Sequence, residues 1–134
     1  MPDPVILYFE DDTLSRDVMQ ACLTRGLGYH NVTMFEDSSD FEGRLAGLPS
    51  KPDVIFLDIH MEPIDGFTML RLIRQSEAYQ ATKVIALTAS VMNEEVKMLK
   101  QAGFDGVIAK PLDYDTFSTV LRRILDGEQV WHIK

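Results

Sequence analysis

An α/β fold, five parallel strands alternating with helices in one open sheet, is predicted by three observations. Five short apolar runs recur along the chain: Val5–Phe9, Val32–Phe35, Val54–Leu57, Val84–Leu87 and Val107–Ala109. The intervals between them each have room for a helix, as parallel neighbours require for their crossovers. The central run, Val54–Leu57, is continuously apolar rather than alternating, as expected of a strand covered on both faces. With 134 residues, 46% of them hydrophobic, the chain fills one core. The reading is therefore a single domain over residues 1–127, followed by a short C-terminal segment, 128–134.

The helices follow in order. Between the first two runs, Leu14, Val18, Ala21 or Cys22, and Leu23 recur at helical spacing, and Gly26 and Gly28 end the pattern. Asp37–Leu48 is a weaker helical segment carrying Phe41, Leu45 and Leu48, interrupted by Gly43 and Gly47 and closed by Pro49. A third helix starts after Gly66, with Phe67, Leu70 and Ile73 inward and Arg71 and Arg74 outward. The fourth, Asn93–Gln101, has only Val96 and Leu99, with Met92 and Met98, as its apolar stripe, and thinly anchored elements move first. Asp113 caps a fifth helix bearing Phe117, Val120, Leu121, Ile124 and Leu125, with Gly127 past its end.

Composition excludes several classes. Twenty-one acidic against thirteen basic residues, a formal charge of −8, lack the basic footprint that direct nucleic-acid binding needs. No apolar run is long enough to span a bilayer, and the N-terminal segment has no basic flank. A soluble cytoplasmic protein without membrane insertion is expected. The single cysteine, Cys22, falls on the inward face of a helix and reads as core.

The residues just past the strands carry chemistry. Glu10-Asp11-Asp12 follow the first, Asp58 the third, Thr88-Ala89-Ser90 the fourth, and Lys110-Pro111 the fifth. Ligands of open α/β sheets bind outside the carboxyl ends of the strands, so these groups share the favoured edge. Carboxylates gathered there repel one another and raise each other's pKa unless a cation neutralises them. Mg²⁺ suits such a set, since it binds oxygen through one or two carboxylates and keeps places for water and phosphate. A carboxylate beside such an ion is a competent nucleophile toward phosphorus, with Lys110 as cation and Thr88 as hydroxyl donor.

In combination, E-D-D after strand one, D-I-H-M-x-x-I-D-G after strand three, T-A after strand four and K-P after strand five resemble the receiver domain of two-component response regulators. The resemblance runs from Val5 to about Leu125. It implies a doubly wound, flavodoxin-like (βα)5 sheet in strand order 2-1-3-4-5, with residues 1–127 as the receiver. It implies that Asp58 accepts a phosphoryl group from the phosphohistidine of a histidine kinase or histidine phosphotransfer protein. Mg²⁺ would be held by Glu10 (through water), Asp11, Asp58 and the backbone carbonyl of His60, while Thr88 and Lys110 would contact the phosphoryl oxygens. Such a domain is a signalling phosphoacceptor with intrinsic Mg²⁺-dependent autophosphorylation and autodephosphorylation, not an ordinary enzyme. The kinase side would dock on helix one and the loop after strand five, at Leu14, Ser15, Val18 and Leu112, and a downstream output protein is a further possible partner.

Two departures from the family pattern matter. Glu62 stands where a proline is usual, with Pro63 following, although the eight-residue step from Asp58 to Gly66 is kept. Val107 occupies the place, three before the lysine, of the aromatic that usually swings inward on activation. Signalling is then expected to run through Thr88 and helix four. The alternative is a phosphorylation-independent interaction module, whose usual sign is loss of an acid, the hydroxyl or the lysine; none is lost. A flavin phosphate would be repelled by Glu10-Asp11-Asp12, and an aspartyl phosphatase would want an acid where His60 stands.

Overall fold

The computed structural model describes residues 3–131. Five strands, β1 (Ile6–Phe9), β2 (Val32–Phe35), β3 (Val54–Asp58), β4 (Lys83–Thr88) and β5 (Gly106–Ala109), form one parallel sheet in the order β2-β1-β3-β4-β5. Between and after them run α1 (Thr13–Gln20), α2 (Phe41–Ala46), α3 (Gly66–Gln75), α4 (Asn93–Ala102) and α5 (Tyr114–Leu125). The fold class and strand order are those expected. Among the described residues no helix is long and apolar enough to cross a membrane.

Alternation along each strand divides the core into two layers. Leu7 and Phe9, Ile55 and Leu57, Val84 and Ala86, and Val107 face α2, α3 and α4. Ile6 and Tyr8, Val54 and Phe56, Ile85 and Leu87, and Ile108 face α1 and α5. Every residue of β1 and β3 is buried, which explains their unbroken apolarity.

Capping sorts the helices. Asp12 accepts from the Ser15 N–H at 2.8 Å, Asp65 from Thr68 at 2.8 Å and Asp113 from Thr116 at 3.0 Å, so α1, α3 and α5 each start on a satisfied cap. α2 and α4 have no side-chain cap. α2 is also shorter than the sequence pattern implies. Asp37 spends its carboxylate on the Ser39 N–H and hydroxyl, and Asp40 adopts the left-handed region at φ 47°, so residues 37–40 form a turn instead of a first helical turn.

The inward stripe of α1 also differs from expectation. Leu14 is 70% exposed and Val18 only half-buried, whereas Met19, Cys22 and Leu23 enter the core. Past Gln20 the helix continues as a wider π-helical segment, Ala21–Gly26. In α3, Met69 joins Leu70 and Ile73 in the core, while Phe67 is half-buried and packs edge-on against Phe104. Arg74 is not simply outward: it bonds Asp105 at 2.7 Å and the Thr82 carbonyl at 2.9 Å, tying the end of α3 to the entries of β4 and β5.

Glu128–Trp131 fold back on β5. Val130 bridges Gly106 in parallel, its carbonyl accepts from the Val107 N–H at 2.9 Å, and its side chain is buried. Trp131 lies under the Lys100 ammonium of α4, 5.2 Å from the ring centre. His132 lies outside the described residues.

Candidate functional site

Strand register brings the strand-end residues to one edge. Phe9 lies opposite Leu57, Asp58 opposite Leu87, and Thr88 opposite Ala109, so the residues that follow these pairs emerge together at the carboxyl edge of the sheet. Glu10, Asp58 and Lys110 continue the face that packs on α1 and α5, whereas Thr88 continues the opposite face with Ala86.

Lys110 is the hub. Its Nζ lies 2.6 Å from Glu10 Oε1 and 3.1 Å from Asp58 Oδ2. Asp58 Oδ1 accepts from the His60 N–H at 2.9 Å, which turns the chain sharply after β3. Glu10 is fully buried, and its Oε1 also accepts from the Tyr8 hydroxyl at 2.6 Å. Its carbonyl accepts from Arg16 at 2.7 Å, clamping the start of α1 to the end of β1. Asp11 is exposed at the rim. Glu10, Asp11 and Asp58 each present a carboxylate oxygen within 4.8 Å of the others. That all-oxygen set, part buried and part open to water, fits a hard divalent cation and does not fit a soft metal.

The electrostatics follow from this crowding. Burial, and then the neighbouring Asp58 carboxyl, push Glu10 up to about 7 against the opposing Lys110 and Tyr8 donors. Burial also acts to raise Asp58, but Glu10, the His60 N–H and the Lys110 ammonium outweigh it and hold Asp58 below its ordinary value. Burial acts to lower Lys110, and the two carboxylates override it, so Lys110 stays firmly charged. The ammonium thus sits among the acids as their fixed counter-charge.

Thr88 is brought to the edge but not into contact with Asp58. Its hydroxyl, 1% exposed, pairs with the Ser90 N–H at 3.1 Å and the Ser90 carbonyl at 3.3 Å in a closed local turn. Asp12, third of the acidic run, caps α1 instead of joining the cluster. The loop after β3 is held from two sides. A side chain at Gly66 would press on the Ile59 backbone at 2.7 Å, so only glycine lets α3 start this close to the site. Buried Ser38 donates to the Ile64 carbonyl at 2.6 Å and accepts from its N–H at 2.8 Å, bracketing the same loop. The peptide before Pro63 is cis, as is that before Pro111.

Tyr8, Arg16 and Ser38 escape a reading of strand-end residues. Tyr8 did leave a signal: a hydroxyl inside a strand that reads as wholly buried requires a partner, and the residue two along the same face is Glu10.

A 2-1-3-4-5 parallel sheet with acids, a hydroxyl and a lysine gathered at its carboxyl edge defines the two-component receiver class. The chain belongs to the response regulator receiver domain family, whose sequence model matches residues 6–122. It is 29% identical over 139 residues to the response regulator Rre1 of Synechocystis, covering 96% of this chain and 55% of that protein. To the sensor histidine kinase CheAY of Helicobacter pylori it is 28% identical over 131 residues, 95% of this chain and 16% of that protein. The chain therefore spans about half of the first relative and a small part of the second. Among solved structures it is similar to the receiver domain of sensor histidine kinase PA1611 of Pseudomonas aeruginosa, which has a magnesium ion in its active-site cleft; the TM-score is 0.78 at 28% identity, covering 92% of this chain and 98% of that one. Receiver domains are signalling domains that bind Mg²⁺ at an acidic site and work with histidine kinases and phosphotransfer proteins.

Proposed function

We propose that this chain is a phosphoacceptor that takes a phosphoryl group onto Asp58 from the phosphohistidine of a histidine kinase or phosphotransfer protein and switches conformation in response. The observation that carries the reading is Lys110 bridging Glu10 and Asp58, at 2.6 and 3.1 Å, at the mouth of an all-carboxylate cluster. Asp11, Asp58 and the His60 backbone carbonyl, with Glu10 through water, are the groups that would hold Mg²⁺. When bound, the ion offsets the carboxylate charge and that of the incoming phosphoryl oxygens.

An Asp58 carboxylate oxygen forms the new bond to phosphorus as the bond to the histidine nitrogen breaks, and the imidazole leaves with the electron pair. The His60 N–H orients the carboxylate, and Asp58 is ionised, as a nucleophile must be. Lys110 balances the developing charge on the phosphoryl oxygens. The Thr88 hydroxyl exchanges its Ser90 partner for one of those oxygens, which couples the modification to the loop leading into α4. The partner's docking face would include Leu14, exposed just past the acidic run, together with the half-buried Ser15, Val18 and Leu112.

The test is intact mass after incubation with acetyl phosphate and Mg²⁺. One phosphoryl adduct is expected on the wild type, none on Asp58→Asn and none in excess chelator. No adduct on the wild type would favour a receiver-like interaction module that binds partners without phosphate. Labelling of Asp58→Asn would remove Asp58 from the acceptor role.

A further inference from the structure

Tyr8 lies on the floor of the acidic cluster and has none of the roles above. Its side chain is fully buried, on the face of β1 that carries Ile6 and Glu10, and its ring meets Phe56 of β3 edge-on at 6.3 Å. An apolar residue would fill that space without needing a hydrogen bond, whereas a buried phenol needs one. The phenol donates to Glu10 Oε1 at 2.6 Å, and Lys110 Nζ reaches the same oxygen at 2.6 Å. A carboxylate oxygen offers about two lone-pair sites, so Oε1 is filled. Oε2 receives just the long contact from the Asp12 N–H, 3.3 Å, and keeps capacity to spare.

We propose that Tyr8 is a positioning residue that restricts Glu10 to a single oxygen toward a divalent cation and so sets the preference of the site for Mg²⁺ over Ca²⁺. Mg²⁺ takes about six ligands in a tight octahedron, with one or two carboxylates and several waters. Ca²⁺ takes roughly six to eight, at longer distances, and readily accepts both oxygens of one carboxylate. With Oε1 held by the phenol and the ammonium, Glu10 has no second oxygen to turn inward, and the crowded higher coordination that suits Ca²⁺ is denied. The packed Phe56 keeps the phenol from following the carboxylate. This inference rests on the reading of Glu10, Asp11 and Asp58 as the cation site.

The experiment is calorimetric titration of metal-stripped wild type and Tyr8→Phe with MgCl₂ and with CaCl₂. Wild type is expected to bind Mg²⁺ more tightly than Ca²⁺, and Tyr8→Phe to shift the ratio of the two dissociation constants toward Ca²⁺ by about tenfold, the weight of one hydrogen bond to a charged group. A merely structural tyrosine would weaken both ions alike and leave the ratio where it was, which overturns the proposal. Wild type that binds neither ion overturns the cation-site reading and the proposal with it. Should Tyr8→Phe fail to fold, wild type labelled with 3-fluorotyrosine provides the second measurement. A Tyr8 fluorine resonance that keeps its position on adding MgCl₂ and is displaced by CaCl₂, the ion that competes for Oε1, supports the proposal, and an equal response to the two ions overturns it.

Discussion

Glu10 is where burial and function compete at the scale of one residue. Because its carboxyl is pushed up to about 7, above the ordinary Glu range, the folded protein binds a proton there more tightly than the unfolded chain does. The stability it contributes is then fully present below its ordinary value and is lost as pH rises toward 7. In chelator, the melting temperature of the wild type is expected to fall over that interval, while Glu10→Gln flattens this part of the curve. Asp12, Asp37 and Asp113 are held below the ordinary Asp value, first of all by hydrogen bonds to Ser15, Ser39 and Thr116, so their contributions fade at more acid pH and do not overlap. Lys110 gives the complementary test. Lys110→Ala removes a cation from the acidic pocket, so Mg²⁺ affinity by calorimetry should hold or rise, whereas acetyl phosphate labelling fails. A large loss of Mg²⁺ binding would make Lys110 a structural residue.

At the scale of elements, the C-terminal segment is the piece the apolar pattern did not place. Val130 and Trp131 were too short a run to read as an element, yet the free edge of β5 gives their backbone a partner and the core takes Val130. Gly106 permits this, because a Cβ there would collide with the Val130 carbonyl. Gly106→Ala is therefore expected to lift residues 128–131 from β5 and to cost about 1–3 kcal/mol in urea unfolding. Trp131 is the single tryptophan, so its emission should move to the red as it leaves Lys100, while labelling of Asp58, at the other end of the sheet, persists. Unchanged emission would show that β5 tolerates the side chain by another adjustment. The capped and uncapped helices show the same division. Asp113 marks α5 in the sequence, whereas the capping roles of Asp12 and Asp65 emerge only in the structure; α2, without a side-chain cap, starts at Phe41 instead of Asp37, and α4, equally uncapped, starts at the expected Asn93.

Across the whole molecule, the switch proposed above would carry the signal from Asp58 to a distant surface through β4 and α4. Val107 is fully buried against the α3–α4 layer, already in place and too small to swing. α4 is uncapped and buries Val96 and Leu99 while leaving Met92 70% and Met98 55% exposed. A half-open pocket of about 350 Å³, lined by Ile59, Phe67, Ser90, Met98 and Leu99 among others, lies against it. One new charge-assisted bond from Thr88 is worth roughly 1.5–3 kcal/mol, enough to shift a population about ten- to a hundredfold without remodelling a core. Beryllofluoride, a phosphoryl mimic, is expected to change amide exchange at residues 88–101 and little near Val107, and Thr88→Ala should abolish the change while Asp58 remains phosphorylatable. Changes centred on β5 would place the switch elsewhere.

The sequence by itself determined the alternation of strands and helices and the identity of the residues at the carboxyl edge, because both follow from local properties: apolar runs, breakers, caps, and side-chain chemistry at fixed steps along the chain. Its resemblance to receivers supplied the strand order. That resemblance also chose Glu10, Asp11 and Asp58 from the acids past the strands, and the tertiary structure supplies the physical reason for the choice. Asp11 and Asp12 are neighbours in sequence, yet one joins the carboxylate cluster and the other caps a helix. Tertiary structure alone decided that Tyr8 reaches Glu10, that Leu14 faces water, and that Lys110 is claimed by two carboxylates before any phosphate arrives. Those outcomes depend on register, on the face a strand presents and on what lies across the gap between strands, and none of these is written in the spacing of residues along one element.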